Sequence, residues 1–390
     1  MYQKEIKQLY YITNVKNIPS ILEKGILSHR NVLNEKIEYH AIYDENIISN
    51  REKCIVENQK TLWDYANLYF QPRNPMLYRV ICNVSKVEDI VVLAIDHSIM
   101  SEFGVMISDG NAASYQSNIT EVAVGLKDIN SKTIRTEWWN DADGSKRRIM
   151  AECLVPEKIP PQYIISIYCA SYSIKENLQN IVKQYNERIN VIPELNMFFQ
   201  STRTSVITDK LFVVEGDMFF SRMQTLTVSV NCKGIMGKGL ASRAKYQFPD
   251  IYVFYQDACR RGQIKLGKPY LYKRESSFDV ELADEPMSLV NGNAETWFLL
   301  FATKDDWKNN ADRNGIEEGL KWIVNNYKKE GIKTLALPAL GCGLGNLKWE
   351  DIGPLMCKYL STIDIQVKIY LPTEKKMPDE QISKQFLLSK

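Results

Sequence analysis

The pattern of apolar residues changes near residue 200, and this change constrains the fold more than any other feature of the chain. Before it, apolar runs and short helical patterns follow one another without regular alternation, which is typical of an α+β domain. After it, strands that end in polar or glycine-rich turns alternate with helices, which predicts a three-layer α/β/α domain that binds ligands at its strand ends. A chain of 390 residues is longer than one core usually requires, so we expect two domains.

The domain boundaries are predicted from the same change. We expect a first domain over residues 1–200, a polar linker over 201–207, a second domain over 208–373 and a loose polar tail over 374–390.

The composition excludes several classes of protein. Hydrophobic residues make up 45%, charged residues 25%, and the net charge is +2, so any binding of nucleic acid must come from a local patch. No apolar run reaches the length of a membrane span, and the first residues do not resemble a signal peptide. The eight cysteines and three histidines are scattered, which favours neither a metal site nor a disulfide framework. We therefore expect a cytoplasmic protein with reduced thiols, no metal and no membrane partner.

One carboxylate interrupts an apolar run in the first half. Glu152 lies within Arg148–Val155, which we predict to be a strand, like the apolar run Leu77–Cys82. A buried carboxylate is costly unless it is paired or faces a cleft. Spacing alone leaves two interpretations open, a functional carboxylate in a cleft or a glutamate on the solvent face of an edge strand.

A basic segment with two tryptophans precedes that glutamate. Trp138 and Trp139 are followed closely by Arg147 and Arg148. Basic side chains attract phosphates and indole faces stack on bases, a combination typical of proteins that bind single-stranded nucleic acid. The alternative is a solvated loop whose tryptophans enter the core.

Two glycine-rich loops follow predicted strands in the second half. Backbone N–H groups approach a diphosphate closely only where side chains are absent, and a helix N-terminus adds a favourable field. Asp217 follows the first strand of this half, Asn231 ends the second, and Lys304 ends a later one. Together they predict a phosphate-binding pocket, although a single lysine is more often a solvent-exposed charge. The glycines are Gly234, Gly237, Gly239, Gly341, Gly343 and Gly345.

The first half resembles the DarT group over about residues 8–170. The similar segments include Phe70-Gln-Pro-Arg-Asn-Pro-Met-Leu77, Ser108-Asp-Gly-Asn-Ala-Ala-Ser114 and Ala151-Glu-Cys-Leu-Val-Pro156. DarT enzymes are ADP-ribosyltransferases that use NAD as a substrate and modify a base in single-stranded DNA, so the resemblance implies an ADP-ribosyltransferase fold and that activity.

The resemblance also implies roles for individual residues. Glu152 would be the catalytic carboxylate, and Arg51 would support catalysis electrostatically, since a guanidinium does not readily serve as a base. Tyr11, Thr13 and Tyr69 would bind NAD together with Arg51. Tyr11 stands where the family usually has histidine, so a phenol replaces an imidazole at the expected nicotinamide contact.

The second half resembles a macrodomain of the DarG type over about residues 208–372. On that resemblance Asp217 would bind the adenine amine of ADP-ribose, Asn231 the distal ribose and the six glycines the phosphates. Lys304 would be the catalytic lysine that acts at the ribose carbon bearing the DNA base. Lys348 stands before Trp349 where the family usually has aspartate, which is a modest departure.

The two resemblances together imply a toxin and its antitoxin fused in one chain. The first domain would transfer ADP-ribose from NAD to a base in single-stranded DNA, with thymidine the expected base, and the macrodomain would remove it. The expected partners are single-stranded DNA, NAD and ADP-ribose. Two alternatives stay open: the macrodomain only binds ADP-ribosylated DNA, or the transferase acts on RNA or on guanine.

Overall fold

The chain divides into two compact units. The computed structural model describes residues 5–43, 45–57, 59–284, 293–372 and 376–389. The first unit comprises Met1–Phe198 together with Glu281–Asn291, and the second comprises Phe199–Val280 and Gly292–Lys390. A segment from the second half of the sequence therefore belongs to the first unit, which the pattern of apolar residues did not predict.

The first unit contains twelve strands and eight α-helices within the described residues. Its strands are β1 (Gln8–Asn14), β2 (Ile26–Leu27), β3 (Ile55–Glu57), β4 (Lys60–Thr61), β5 (Tyr65–Tyr69), β6 (Ile90–Asp96), β7 (Met106–Ser108), β8 (Ile119–Glu121), β9 (Glu152–Pro156), β10 (Lys158–Ile159), β11 (Ile164–Cys169) and β12 (Asn190–Pro193). Its helices are α1 (Ile18–Lys24), α2 (His29–Asn34), α3 (Glu45–Lys53), α4 (Pro75–Arg79), α5 (Val122–Asp128), α6 (Ser131–Ile134), α7 (Ser145–Arg148) and α8 (Tyr172–Lys183).

The core of this unit is an eight-stranded sheet in the order β12-β11-β6-β1-β5-β9-β7-β8. All neighbouring strands are antiparallel except the parallel pair β11 and β12. The two central strands β1 and β6 pair over their full lengths, from Gln8 opposite Asp96 to Asn14 opposite Ile90. A mainly antiparallel sheet with short helices confirms the α+β prediction.

Two predicted strands of the first unit are wrong in whole or in part. Leu77–Cys82 is helical, because the side chain of Asn74 caps the Leu77 N–H at 3.0 Å and Pro75 occupies the first turn, so a strong helix start overrides the apolar run. Within Arg148–Val155, the strand begins only at Glu152, after helix α7.

The second unit contains seven strands and six helices within the described residues. Its strands are β13 (Arg203–Val206), β14 (Leu211–Glu215), β15 (Thr225–Asn231), β16 (Tyr270–Tyr272), β17 (Trp297–Lys304), β18 (Thr334–Pro338) and β19 (Gln366–Tyr370). The helices are α9 (Gly239–Gln247), α10 (Pro249–Arg260), α11 (Phe278–Leu282), whose last two residues belong to the first unit, α12 (Arg313–Glu330), α13 (Trp349–Leu360) and α14 (Lys384–Leu388).

The strands of the second unit form one sheet in the order β13-β14-β19-β18-β15-β17-β16. The five central strands are parallel, and the two edge strands are antiparallel to their neighbours. One apolar core packs the sheet against α12, α13 and α14, while Phe219, Phe248 and Phe298 pack together with centroid distances of 5.5 and 5.0 Å in a separate aromatic group. This architecture confirms the predicted macrodomain.

The predicted linker and tail are wrong. Within 201–207, β13 pairs with β14 and so belongs to the sheet of the second unit. In the tail, residues 374, 375 and 390 lie outside the described residues, but Leu387 is fully buried in the core and the Trp349 Nε1 donates to the Gln381 carbonyl at 2.9 Å. Polar composition misled the prediction, since alternate residues of an edge strand and one face of a short helix are polar in any case.

No helix of the described residues is long and apolar enough to span a bilayer.

Candidate active sites

Glu152 and Arg51 form a buried ion pair in the first unit. The Glu152 side chain is fully buried at the start of β9. It accepts hydrogen bonds from Arg51 Nη2 at 2.8 Å, from Arg51 Nη1 at 3.3 Å and from the Ala112 backbone N–H at 2.9 Å. Because β9 lies between β5 and β7, the alternative of a glutamate on a solvent-facing edge strand is excluded.

The electrostatics of the pair favour both charges. Burial opposes the charge on Arg51, but the neighbouring Glu152 carboxylate outweighs it, and the pKa of the guanidinium lies above its ordinary value. Three donors also fix the position of the Glu152 carboxylate. The site is therefore a buried pair of guanidinium and carboxylate within a largely apolar sheet.

The Ser108–Ser114 segment supports this site. Its Ala112 N–H binds Glu152, and its Asp109 accepts from Arg147 Nη1 at 2.8 Å. A Cβ on Gly110 would lie 2.3 Å from that same Nη1 atom, so only glycine permits the approach. The motif thus connects the carboxylate to one of the predicted DNA-binding arginines.

A cavity of about 490 Å³ lies beside the ion pair. This volume is within the range typical of small-molecule sites. All four predicted NAD-binding residues line it, namely Tyr11, Thr13, Arg51 and Tyr69. Glu152 lies behind the wall formed by Arg51 and Tyr69, and β-sheet register places it directly opposite Tyr69. The structure thus brings together the residues that the sequence singled out, with Arg51 covering the carboxylate.

Aromatic side chains that the sequence analysis missed also line the cavity. His29 lies 4.5 Å from the ring of Trp63, and it packs edge-on against Tyr39 and Tyr43 at 6.4 and 6.3 Å. Burial lowers the pKa of His29, and burial together with Tyr39 raises the pKa of Tyr11 to about 12. Residues 29–75 showed no periodicity, but their density of aromatic residues was a signal that could have identified them.

A second ion pair lines the same cavity. Arg79 Nε donates to Asp284 Oδ1 at 2.7 Å, and their side chains are 1% and 8% exposed. Asp284 belongs to the Glu281–Asn291 segment of the first unit. Neither residue was predicted, because nothing in the local sequence distinguishes them from other charged residues.

The structure contradicts the prediction for Trp139. This residue is buried, and its Nε1 donates to the Leu282 carbonyl at 2.9 Å, so neither face is available to stack on a base. The alternative of a core tryptophan is the correct one here. A DNA-binding role for Trp138, Arg147 and Arg148 stays a prediction: Trp138 is half-buried, and the arginines bind Asp109 and the Asp143 carbonyl.

The second site lies at the ends of neighbouring parallel strands. Asn231 ends β15 and is paired in register with Lys304 at the end of β17. Asn231 donates to the Ile235 carbonyl at 2.6 Å and accepts from the Lys233 N–H at 2.8 Å, which shapes the first glycine loop. Lys304 Nζ donates to the Leu344 carbonyl at 3.1 Å in the second loop. The lysine and both glycine loops therefore meet at one edge of the sheet.

The glycines of the two loops have two different structural roles. Gly341 has φ +74°, and an added Cβ would lie 2.8 Å from the Leu347 side chain, so the turn itself requires glycine. An added Cβ on Gly343 would have no heavy atom within 4 Å. Packing thus requires glycine at position 341 but not at position 343. Gly343 faces open space, where its backbone can contact a ligand.

Asp217 is held in place by a neighbouring helix. It accepts from the Phe219 N–H at 3.1 Å and pairs with Arg243 Nη2 of α9 at 2.8 Å. Helix α9 begins at Gly239, the last glycine of the first loop, so the N-terminal end of the helix adjoins that loop. The predicted adenine-binding residue is thus anchored to the helix that follows the phosphate loop.

Comparisons with known proteins match both units of the chain. A family model described as ssDNA thymidine ADP-ribosyltransferase, DarT, matches residues 10–199, and a macro domain model matches residues 298–356. A DNA ADP-ribosyl transferase-DNA ADP-ribosyl glycohydrolase fusion protein of Thermosipho africanus is 52% identical over 385 residues, covering 98% of each chain. A DNA ADP-ribosyl glycohydrolase of Thermus aquaticus is 33% identical over 162 residues, which is 41% of each chain.

A solved structure is similar over nearly the whole chain. It is that of Thermosipho africanus DarTG in complex with ADP-ribose, with a TM-score of 0.91 and 51% identity, covering 98% of this chain and 100% of that chain. Because both the sequence and the fold match from end to end, the chain belongs to the family of DarT–DarG fusion proteins, in which a DNA ADP-ribosyl transferase domain is joined to a DNA ADP-ribosyl glycohydrolase macrodomain.

Proposed function

We propose that the first unit transfers ADP-ribose from NAD to thymidine in single-stranded DNA and that the second unit removes it. The observation that carries the first half of this proposal is the buried Arg51–Glu152 pair at the wall of a cavity lined by Tyr11, Thr13 and Tyr69. The match to a model of thymidine-specific transferases supports the choice of base.

The transfer reaction needs negative charge beside the nicotinamide ribose. As the C–N bond to nicotinamide breaks, its electron pair passes to the nicotinamide nitrogen and positive charge develops on the ribose. A ring nitrogen of the base then bonds to the same carbon and loses its proton. The Glu152 carboxylate stabilises the cation and assists the removal of the proton, so no metal is needed for either step.

Arg51 covers Glu152 through two hydrogen bonds. Its guanidinium stays charged at every relevant pH and so cannot accept the proton. We propose that substrate binding draws Arg51 partly away from the carboxylate, so that Glu152 reaches the ribose while Arg51 contacts the diphosphate or the ribose hydroxyls. Tyr11 takes the position usually held by histidine, and its hydroxyl, with a pKa of about 12, remains a hydrogen-bond donor.

The second unit is proposed to hydrolyse the bond between the ribose and the base. Asp217 binds the adenine amine, Asn231 the distal ribose, and the backbone of the two glycine loops the diphosphate. Lys304 either attacks the ribose carbon or donates to the leaving base, and water supplies the hydroxyl and proton that complete the hydrolysis. Its contact with Leu344 places the amine beside the second glycine loop.

Two full-length variants test both activities. Lys304→Ala is expected to write without erasing, and Glu152→Gln to erase without writing. Lys304→Ala, incubated with NAD and a thymidine-containing oligonucleotide, is expected to add one ADP-ribose unit by intact mass, and Glu152→Gln is expected to remove it. A Lys304→Ala chain that cleared the mark as quickly as its parent would show that the lysine is not the catalytic group.

The same assay decides between the alternatives. Labelling of an oligonucleotide without thymidine would indicate guanine, and labelling of RNA alone would indicate another acceptor. Tight binding of ADP-ribose by Glu152→Gln without release of the mark would show that the macrodomain only binds ADP-ribosylated DNA and does not hydrolyse it. We place these reactions in the cytoplasm, where NAD and DNA are both available.

A further inference from the structure

The basic side chains that line the transferase cavity are each paired with a carboxylate. Among the described residues, the lining contains two arginines and one lysine besides Arg51. The four pairs are Arg51–Glu152 at 2.8 Å, Arg79–Asp284 at 2.7 Å, Arg147–Asp109 at 2.8 Å and Lys146–Asp141 at 3.2 Å. Each of these four cations is therefore balanced by a carboxylate, and the lining also contains Glu38.

One of these four carboxylates comes from the second half of the sequence. Asp284 is separated from Arg79 by 205 residues and lies in the Glu281–Asn291 segment that belongs to the first unit. The segment is anchored by the buried Trp139, whose Nε1 donates to the Leu282 carbonyl at 2.9 Å. A backbone contact two residues away thus fixes the position of the carboxylate.

Tyr69 connects the Arg79–Asp284 pair to the catalytic pair. Tyr69, which is opposite Glu152 in the β5–β9 register, lines the cavity with Arg79 and Asp284. Burial raises the pKa of Tyr69; the charges of Glu152 and Asp284 raise it further, while Arg51 and Arg79 lower it. The two ion pairs therefore act on the same phenol from within one cavity.

We propose that Asp284 is a positioning residue of the transferase, which holds Arg79 in place and neutralises it so that no unbalanced positive charge opposes the cationic transition state at Glu152. The inference rests on the proposed NAD-dependent transfer, in which positive charge develops on the ribose. An uncompensated arginine in a desolvated cavity would raise the energy of that state more than the energy of bound NAD. The transferase thus depends on a carboxylate encoded between two strands of the macrodomain.

The sign of the charge distinguishes this role from a merely structural one. Asp284→Asn leaves Arg79 positive, Arg79→Met leaves Asp284 negative, and Arg79→Met combined with Asp284→Leu leaves neither charge. If the pair only supports the fold, the two single variants should be similarly harmful, because each removes one member of the same buried ion pair. If Asp284 acts through charge, Asp284→Asn should be the slowest of the three.

The experiment measures nicotinamide release from NAD by the full chain with a thymidine-containing oligonucleotide, which reports each transfer whether or not the mark is later erased. We expect Asp284→Asn to lower kcat about tenfold or more with a smaller change in KM for NAD. Arg79→Met should lose less, and the double variant should recover most of the kcat lost by Asp284→Asn. Glu275→Gln, an exposed carboxylate before α11, is the matched control and should behave like the parent.

Three outcomes would overturn the inference: an unchanged kcat in Asp284→Asn, an equal loss in Arg79→Met, or a folded double variant as slow as Asp284→Asn. If Asp284→Asn fails to fold, the double variant still tests the inference, since it removes both charges of the pair: a folded double variant with a kcat well below that of the parent would overturn it. Erasure of a pre-marked oligonucleotide checks the second unit in every variant. A parent chain that released no nicotinamide would instead refute the proposed transfer itself.

Discussion

The two units handle the same ADP-ribose group with different physical means. The proposed transferase site is built from charged side chains, with Arg51 at the wall of a cavity paired with Glu152 behind it. The proposed macrodomain site is built mainly from backbone, with two glycine loops at the ends of parallel strands and one lysine, Lys304, between them. Breaking the bond in NAD requires stabilisation of a cation, whereas holding a diphosphate requires N–H groups, and each site supplies what its task needs.

The largest effect that would test this comparison is the loss of the transferase carboxylate. Glu152→Gln keeps the size of the side chain but removes its charge, so transfer should fall roughly a thousandfold while erasure continues. Nicotinamide release and removal of ADP-ribose from a marked oligonucleotide measure the two activities. Glu157→Gln, an exposed carboxylate after the same strand, should transfer normally; transfer retained in Glu152→Gln would show that charge is not the basis of this site.

A smaller effect is expected from the lysine of the macrodomain. Lys304→Arg keeps a positive donor for the Leu344 carbonyl but removes the amine, so erasure should fall about a hundredfold and transfer should be unaffected. The rate of ADP-ribose release from marked DNA measures this change, with Lys308→Arg, an exposed lysine nearby, as control. If Lys304→Arg erases normally, the residue acts only by holding the loop, and the site works through backbone alone.

The backbone character of the macrodomain site is tested by two glycine variants. Gly343→Ala adds a methyl group that meets no protein atom within 4 Å, so the melting temperature should stay unchanged. The affinity for ADP-ribose should fall about tenfold, which corresponds to roughly 1.4 kcal/mol. Gly341→Ala forces a side chain to φ +74° against Leu347 and should destabilise the unit by at least ~1–2 kcal/mol. Calorimetry and thermal unfolding separate the two; unchanged affinity in Gly343→Ala would remove this loop from the diphosphate site.

The smallest effect concerns the neutral part of the transferase cavity. A pKa of about 12 for Tyr11 keeps its phenol protonated below that pH, so it should contribute no pH dependence to transfer between about pH 6 and 9. Tyr11→Phe should weaken NAD binding by about fivefold to tenfold, the value of one hydrogen bond of ~1 kcal/mol, with the same pH profile as the parent. A profile that changed shape in this variant would mean that the tyrosine ionises during turnover.

The sequence predicted the architecture of each unit better than it predicted the residues at which one unit ends and the other begins. The alternating strand and helix patterns of the second half correctly predicted its parallel sheet. The absence of such alternation in the first half correctly predicted an α+β domain. The predicted linker was wrong because β13 is a short edge strand with a polar face, and composition does not distinguish such a strand from a loop. The strand predicted at Leu77–Cys82 was wrong because apolar runs alone do not distinguish buried strands from buried helices.

The candidate sites were predicted to a similar extent. The glycine loops, Asn231 and Lys304 do meet at one sheet edge, because parallel strands end at the same edge. In the first unit Tyr11, Thr13, Arg51 and Tyr69 line one cavity, and their binding of NAD stays a prediction. Trp139 was misassigned, since a tryptophan next to basic residues looks the same in sequence whether its ring faces DNA or the core.

The sequence by itself determined the local elements of this protein. Asn74 and Pro75 start a helix, Gly341 permits a turn at positive φ, and a single glutamate enters an apolar strand, all through interactions within a few residues. Only the tertiary structure decided which charges meet. Arg51 pairs with Glu152 across 101 residues and Arg79 with Asp284 across 205, because such pairs depend on strand order and on the path of the chain between units, which no local pattern encodes.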